Sequence, residues 1–501
     1  MAPQLHHTPP ATSGADARRV ERALSRLRKK LGAECFHTEP EALRPYECDA
    51  LSNYRCPPLA VAVPRTLDEV RMVLRTCHKA GIPVVPRGAG TGLSGGAMPR
   101  ADAVLLSMTR FNRILEIDPH SRFARVEPGV RNLAISEAAA PHGLFFAPDP
   151  SSQFASSIGG NVAENSGGVH CVKYGLTVHN VLEVQMLGMD GESFTVGGGG
   201  YDSPGLDLLA LCIGSEGMLG VVTEVTVRLL PLPAHVAVMQ VAFPTLESAG
   251  QAVADIIGQG VVPAGLEIMD QVAVDVVERY IKAGLPTDAA ALLLCELDGT
   301  EAEVGGQLDR VRQILDACGG YGIKVAHDAA ERERLWWGRK AAFPAMGQVT
   351  TDFYITDATV PRKDLASVLK RIQELGQEYG LRVATAFHAG DGNLHPLILY
   401  SAADADESER TERLGAAILA ECLARGGTIT GEHGIGAEKV DKACQQFGDA
   451  EIENYFAVKA AFDPSGLLNP GKAIPTLTRC AELRGSHVHA AQAPFPELER
   501  F

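Results

Sequence analysis

Pro86-Arg-Gly-Ala-Gly-Thr-Gly-Leu-Ser-Gly-Gly96 decides how this chain is read. Within it, Gly90-x-Gly92-x-x-Gly95 matches the dinucleotide-binding fingerprint, which would make the first domain a nicotinamide-binding βαβ unit. The context rejects that assignment. The fingerprint needs its third glycine at the opening of a helix, and here Pro99 and a strand at Ala103–Met108 follow almost at once. A loop this rich in glycine still gathers many backbone N–H groups, which can cradle a pyrophosphate without a helix. Two further segments share the texture: Pro148-Asp-Pro-Ser-Ser-Gln-Phe-Ala-Ser-Ser-Ile-Gly-Gly-Asn161, running on to Asn165-Ser-Gly-Gly168, and Gly214-Ser-Glu-Gly-Met-Leu-Gly220. Three such segments in one domain imply a large, elongated, phosphate-bearing ligand.

Working outward, Asp16–Leu31 places Val20, Leu24, Leu27 and Leu31 on one helical face, with Gly32 as the stop. A second helix opens with the capping box Thr66-Leu-Asp-Glu69 and runs to Gly81, ahead of a short strand Ile82–Pro86. Val221–Leu229 alternates as a half-buried strand, with Val221, Thr223, Val225, Val227 and Leu229 inward, and ends at Pro231-Leu-Pro233. Beyond that point helices are expected at 245–258, 267–282, 301–317 and 362–379, with strands near 236–243, 290–297 and 381–387. This is the pattern of an α+β domain on an antiparallel sheet. The chain therefore divides into a leader and helix (1–54), a cofactor domain (55–233), a cap domain (234–410), a helical C-terminal segment (411–475) and an extended arm (476–501).

At 501 residues two or three domains are expected. The net charge of −15 makes nucleic acid and anionic membrane surfaces poor partners, and requires a local cation for any anionic substrate. The longest apolar run, Ala289–Leu297, is about half of the ~20 residues that span a bilayer. Residues Met1–Gly14 lack the hydrophobic segment of a signal peptide. The eleven cysteines form no Cys-x-x-Cys pair, which argues against an iron–sulfur cluster in this chain and for reduced thiols in the cytosol.

Two motifs in the last quarter carry the chemistry: His388-Ala-Gly-Asp-Gly-Asn-Leu-His395 and Gly431-Glu-His-Gly-Ile-Gly436. His388, His395 and Glu432 make a three-ligand set suited to Zn, Fe or Mn, with open positions for substrate. His433 is a spare acid/base group beside it. On a regular strand His388 and His395 would face opposite ways, but a turn at Gly390-Asp391-Gly392 lets the rings converge. The same ligands would suit a metal-dependent hydrolase, which would leave the three glycine segments without a role.

The glycine segments resemble the FAD-binding domain of the vanillyl-alcohol oxidase / p-cresol methylhydroxylase superfamily. The two histidine motifs resemble its FAD-linked D-2-hydroxy-acid dehydrogenase branch, which includes glycolate oxidase, D-lactate dehydrogenase and D-2-hydroxyglutarate dehydrogenase. Trp337-Gly-Arg-Lys-Ala-Ala-Phe-Pro344 and the closing Phe495-Pro-Glu-Leu-Glu-Arg-Phe501 are similar to FAD-linked subunits of bacterial glycolate oxidases. The resemblance implies an α+β fold: a two-subdomain FAD-binding domain of the p-cresol methylhydroxylase type, a ferredoxin-like cap and a helical C-terminal segment. It implies FAD on Arg87, Gly88, Gly90, Thr91, Gly92, Ser94 and Gly95. Pro148, Ser156, Gly159, Gly160, Asn161 and Gly168 would line the isoalloxazine and pyrophosphate, and Glu216 and Val221 would lie nearer the adenosine half. Asn469 would close over the cofactor. Members with covalent flavin often carry a histidine in the first glycine loop, and none is present here, so the FAD is expected to be non-covalent.

The implied reaction oxidises a small 2-hydroxy acid, glycolate first and D-lactate second, to the 2-keto acid. A hydride leaves C2 for flavin N5 while the hydroxyl loses a proton. The metal would acidify that hydroxyl and His433 would accept the proton. Arg339 is the candidate clamp for the substrate carboxylate, with Lys340 as a substitute. Asn393 would bind substrate or orient a ligand, Asp391 is read as a turn residue, and Trp336 and Trp337 as cap packing. No dedicated second cation appears near Tyr354, which disfavours a dicarboxylate. A second FAD-binding subunit, an iron–sulfur subunit or a quinone is the implied electron sink. The implied location is the cytoplasm, with peripheral association to the inner face of the membrane through partners.

Overall fold

The glycine segment of residues 86–96 joins two parallel strands. In the computed structural model, which describes residues 14–52, 54–200, 205–326 and 328–475, Val84–Arg87 and Val104–Ser107 pair in parallel and the glycine loop makes the crossover. Parallel neighbours need a long connection, usually a helix; here it is irregular backbone, which is why the loop's N–H groups stay available. The leader, the extended arm and the closing Phe495–Phe501 motif lie outside the described residues.

The first sheet has the order Phe36–His37, Ala60–Ala62, Val104–Ser107, Val84–Arg87. Helices Gly14–Leu31 and Leu67–Ala80 pack on it through Leu27, Leu31, Val70, Val73, Leu74 and Cys77, all buried. Thr66 caps the second helix by accepting from the Glu69 N–H, and Gly81 (φ +67°) ends it by donating to the Cys77 and His78 carbonyls. The Glu69 carboxylate accepts from the Arg65 N–H at 2.7 Å, one residue before the position a full capping box requires.

The second sheet is five-stranded and antiparallel, in the order Ile114–Asp118, Phe123–Val126, Val221–Arg228, Val181–Leu187, Ser193–Gly197. Val221, Val225, Val227 and Leu229 are buried as the alternation predicts, but Thr223 is only half-buried. A register shift between Val222 and Glu224 breaks the alternation there, and the Thr223 hydroxyl donates to the Gln185 carbonyl. The Pro231-containing boundary is itself structured: Leu230–Pro231 pairs with Leu144–Phe145.

The third sheet is antiparallel and carries the cap. Its main path is Tyr321–Val325, His235–Phe243, Ala291–Gly299, Gly265–Asp270, Arg382–His388, Asn393–Leu394, Ala358–Thr359. Helices Leu246–Gly258, Glu301–Ala317 and Leu365–Tyr379 lie where the periodicity places them. The helix expected over 267–282 does not: Gly265–Asp270 is a buried central strand, and the helix is Gln271–Ile281. Asp270 is its N-cap, accepting from the Ala273 N–H, and an N-cap ends the preceding strand rather than continuing a helix.

Helix Ala405–Ala424 begins before residue 411 and buries Leu414, Ile418, Leu419 and Cys422 in the cap core. After helix Asp449–Phe462 the chain returns to the first sheet, where Leu468 bridges Val84 in parallel. No helix among the described residues is long and apolar enough to cross a membrane. Nine of the described cysteines are free.

Candidate active site

The two histidine motifs meet because each is folded back by glycine. Arg382–His388 turns through Ala389–Gly392 into Asn393–Leu394, with His388 opposite Asn393 in the hairpin. Gly392 (φ +73°) lies against the Val360 carbonyl, where any side chain would collide. His388 Nε2 and His395 Nε2 lie 3.3 and 3.1 Å from Glu432 Oε1, and the two rings stand perpendicular with centroids 5.1 Å apart. The three donor atoms fall within 4.8 Å of one another, near the span that bonds of about 2.0–2.2 Å to one ion require. The residues present therefore fit a divalent metal. His433 stacks on His395 at 5.1 Å, with 8° between the planes.

Residues outside the motifs hold this arrangement. Asp357, fully buried, accepts from the N–H groups of Gly431 at 2.9 Å and His433 at 3.0 Å and from the Thr430 hydroxyl at 2.6 Å. The buried Lys439 ammonium donates to its carbonyl at 3.0 Å and faces its carboxylate at 3.4 Å. Burial alone would raise the Asp357 carboxyl, but Lys439, His433 and His395 pull it below the ordinary range. Asp357, His395 and His433 also cluster closely enough to suggest a second cation set; the donors already on Asp357 make it the anchor of the loop instead. Glu216, from the cofactor domain, accepts from the Ile435 and Gly436 N–H groups at 2.8 Å each. The Ser94 carbonyl accepts from Ala437 and Glu438 at 3.0 Å each.

A second carboxylate lies behind His388. Glu267 Oε1 accepts from His388 Nδ1 at 2.7 Å, and its Oε2 accepts from Arg339 Nε at 2.8 Å. Arg339 Nη2 donates to the Ala386 carbonyl at 3.3 Å. Arg339 is thus buried at 4 % exposure and tied into the protein, while still lining the cavity. Lys340 lines the same cavity and is exposed.

One cavity of about 550 Å³ runs from the glycine segments to this cluster, a size typical of cofactor sites, about 300–1,000 Å³. Arg87, Gly88, Gly90, Thr91 and Gly92 line it from the first segment. Ser156, Gly159, Gly160 and Asn161 do so from the second, and Glu216 and Val221 from the third. His388, His395, Glu432 and His433 close its far end. A Cβ on Gly159 would fall 3.0 Å from the Pro128 carbonyl oxygen, so the segment can pack there only as glycine. The bare backbone of these segments fits a phosphate-bearing cofactor.

Six expected site residues do not line the cavity. The Ser94 and Gly95 carbonyls receive the C-terminal segment, Gly95 accepting from Lys472 Nζ at 2.7 Å. The Pro148 carbonyl accepts from Asn132 at 3.0 Å. Gly168 (φ +153°) packs on the Asp149 backbone. Asn469 donates to the Gly96 and Glu216 carbonyls at 2.9 and 2.6 Å, staplng the glycine loop from outside the cavity. Asn393, buried at 5 % exposure, packs its carboxamide against Gly431. Glu216 lines the cavity, yet its carboxylate is engaged with the metal-motif loop. Trp336 packs as expected and donates to Glu296 at 2.5 Å, whereas Trp337 is 55 % exposed.

Glu267, Asp357, Lys439 and Glu164 are the residues that motif reading missed. The first two carry a signal nonetheless: each is a lone acid in an apolar stretch, Leu266-Glu-Ile268 and Ile355-Thr-Asp-Ala358, and a buried charge requires a partner. Glu164 lines the cavity with its Oε2 unpartnered, and burial followed by Glu216 and Asp49 raises its carboxyl well above the usual range.

Comparison with known proteins agrees with this geometry. Residues 58–197 match the FAD binding domain family and residues 232–473 match the family of FAD linked oxidases, C-terminal domain. The chain is 57% identical over 470 residues to the glycolate oxidase subunit GlcD of Escherichia coli, covering 94% of each chain. It is 34% identical to the D-lactate dehydrogenase of Archaeoglobus fulgidus, covering 83% of this chain and 91% of that one. In structure it is similar to p-cresol methylhydroxylase, with a TM-score of 0.78 at 18% identity over 94% of this chain and 99% of that one. The chain belongs to the FAD-linked oxidases, in the branch that includes glycolate oxidase subunits and D-lactate dehydrogenases, on the fold of p-cresol methylhydroxylase.

Proposed function

We propose that this FAD-linked oxidoreductase converts a small D-2-hydroxy acid to the 2-keto acid, with glycolate the first substrate and D-lactate the second. The observation that carries the reading is the single cavity joining the glycine segments to the His388–His395–Glu432 cluster. When bound, the non-covalent FAD supplies a two-electron acceptor and the divalent metal, zinc before manganese or iron, a Lewis acid for the substrate hydroxyl. His388, His395 and Glu432 hold that metal. Arg339 presents its remaining guanidinium edge to the substrate carboxylate, with Lys340 beside it. His433, stacked on His395 at the cavity end, takes the hydroxyl proton; burial lowers its pKa to about 4, so the ring is neutral before that step.

Tyr354 is buried with its hydroxyl on Glu438 at 2.6 Å and does not line the cavity, so its surroundings do not bear on the choice between a monocarboxylate and 2-hydroxyglutarate. A hydrolase using the same ligands leaves the glycine-lined part of the cavity without a purpose. The electrons pass to partner subunits, one binding FAD and one carrying an iron–sulfur cluster, or to a quinone. The site of action is the cytoplasm or, through those partners, the inner membrane face. The test is the visible spectrum of the purified chain under anaerobic conditions. Glycolate or D-lactate should bleach a flavin band, and a yellow protein that no hydroxy acid bleaches would refute the proposal.

A further inference from the structure

Three buried side chains on adjacent elements form one chain of contacts. Glu267 and His388 are paired neighbours on antiparallel strands, exposed 1 % and 4 %. Arg339, on helix Ala329–Lys340, is exposed 4 % and reaches the same carboxylate. Glu267 gives one oxygen to each partner, His388 Nδ1 at 2.7 Å and Arg339 Nε at 2.8 Å. It lines no part of the cavity and so touches neither substrate nor cofactor.

Both partners face the cavity with their other atoms. Nδ1–H bonded to a carboxylate fixes the imidazole tautomer, leaving the His388 Nε2 lone pair toward Glu432 and a metal. With Nε on Glu267 and Nη2 on Ala386, the Arg339 guanidinium cannot rotate, and Nη1 has no hydrogen-bond partner among the described residues. Oriented by one carboxylate, the cation and the ligand keep a fixed separation. A 2-hydroxy acid carries carboxylate and hydroxyl on neighbouring carbons, so a fixed separation between the groups that receive them has chemical value.

We infer that Glu267 is a positioning residue that locks the carboxylate-binding Arg339 and the metal ligand His388 into one rigid unit. The inference rests on the metal and clamp assignments proposed above. It predicts that Arg339 influences metal binding only through Glu267.

The experiment measures Zn(II) affinity of the FAD-loaded, metal-stripped protein by competition with a chromophoric chelator, alongside KM for glycolate. Glu267→Gln should weaken zinc roughly 10–100-fold, the range for lost outer-shell partners, and raise KM while flavin stays bound. Arg339→Met should weaken zinc less, and should have no further effect on zinc in the Glu267→Gln background. Glu267→Asp, which keeps the charge but shortens the reach, should act in the same direction and replaces Glu267→Gln if that variant does not fold. Zinc affinity within twofold of wild type in the Glu267 variants, with His388→Ala abolishing binding, overturns the inference and leaves the metal assignment standing. Equal Arg339→Met effects in both backgrounds overturn it too. Zinc retained by His388→Ala overturns the metal assignment itself and the inference with it.

Discussion

Asp357 shows how one buried carboxylate can hold a functional loop. It receives the backbone of Gly431 and His433, and Lys439 neutralises it with both side chains fully buried. Breaking such a pair leaves an uncompensated charge and costs about 3–5 kcal/mol. Lys439→Met is therefore expected to lower the thermal midpoint and loosen the Gly431–Gly436 loop; an unchanged midpoint by calorimetry would contradict this. His433 tests the chemistry separately. His433→Asn should keep metal content and FAD but slow anaerobic flavin reduction by roughly 10²–10⁴-fold, the usual contribution of a general base. A wild-type rate in stopped flow removes His433 from the mechanism. The convergence of His388, His395 and Glu432 was legible because histidine in a glycine-rich setting is chemically conspicuous. Glu267 and Asp357 were not, because each is embedded in a strand-like apolar run and its partner is distant in sequence.

At the scale of elements, the short helix Cys171–Tyr174 fastens the cofactor domain to the cap. His170 bridges Asp149 at 2.7 Å and Glu296 at 3.1 Å, while Lys173 and Tyr174 both bind Asp298. Burial opposes the charge on His170, but Asp149 and Glu296 outweigh it and raise its pKa well above the ordinary value. A group raised on folding stabilises fully below its unfolded pKa, about 6.5, and loses that contribution as pH rises through the folded value. The stability gap between wild type and His170→Asn should thus be widest near pH 6 and shrink in alkali. Thermal midpoints across pH 6–10 that differ by a constant amount would exclude the bridge as the cause. Element reading succeeded where period and cap agreed, as in Glu301–Ala317, whose capping box Thr300/Glu303 forms in full. It failed at 267–270, where four residues are too few to separate a period of 3.6 from one of 2.

Across the whole molecule, the cofactor loop is completed from the far end of the chain. Lys459 binds the Met218 and Leu468 carbonyls at 2.7 Å each, Lys472 the Gly95 and Met98 carbonyls at 2.7 Å each, and Asn469 the Gly96 and Glu216 carbonyls. Asn469→Ala would leave the Glu216 carbonyl unsatisfied, at about 1–3 kcal/mol, and the Gly96 carbonyl with the 3.5 Å contact from Lys472. FAD should then dissociate roughly tenfold more readily on dilution, read by flavin fluorescence; unchanged retention would show that the staple does not bear on the cofactor. The resemblance brought Asn469 to the cofactor, but the carbonyls it meets and both lysine contacts were not visible in sequence, since a lysine or asparagine does not indicate which carbonyl it will meet.

That closure sets an order of events during synthesis. Strand Val104–Ser107 leaves the ribosome early, but its sheet gains the Leu468–Val84 bridge only after the entire cap has been made. At about 5–20 residues per second the delay is roughly 20–70 s. Throughout it the glycine loop has no ceiling, and apolar groups later covered by Leu467 and Leu468 stay open to solvent. Cofactor capture on a finished loop therefore waits for Lys459, Asn469 and Lys472 to be made.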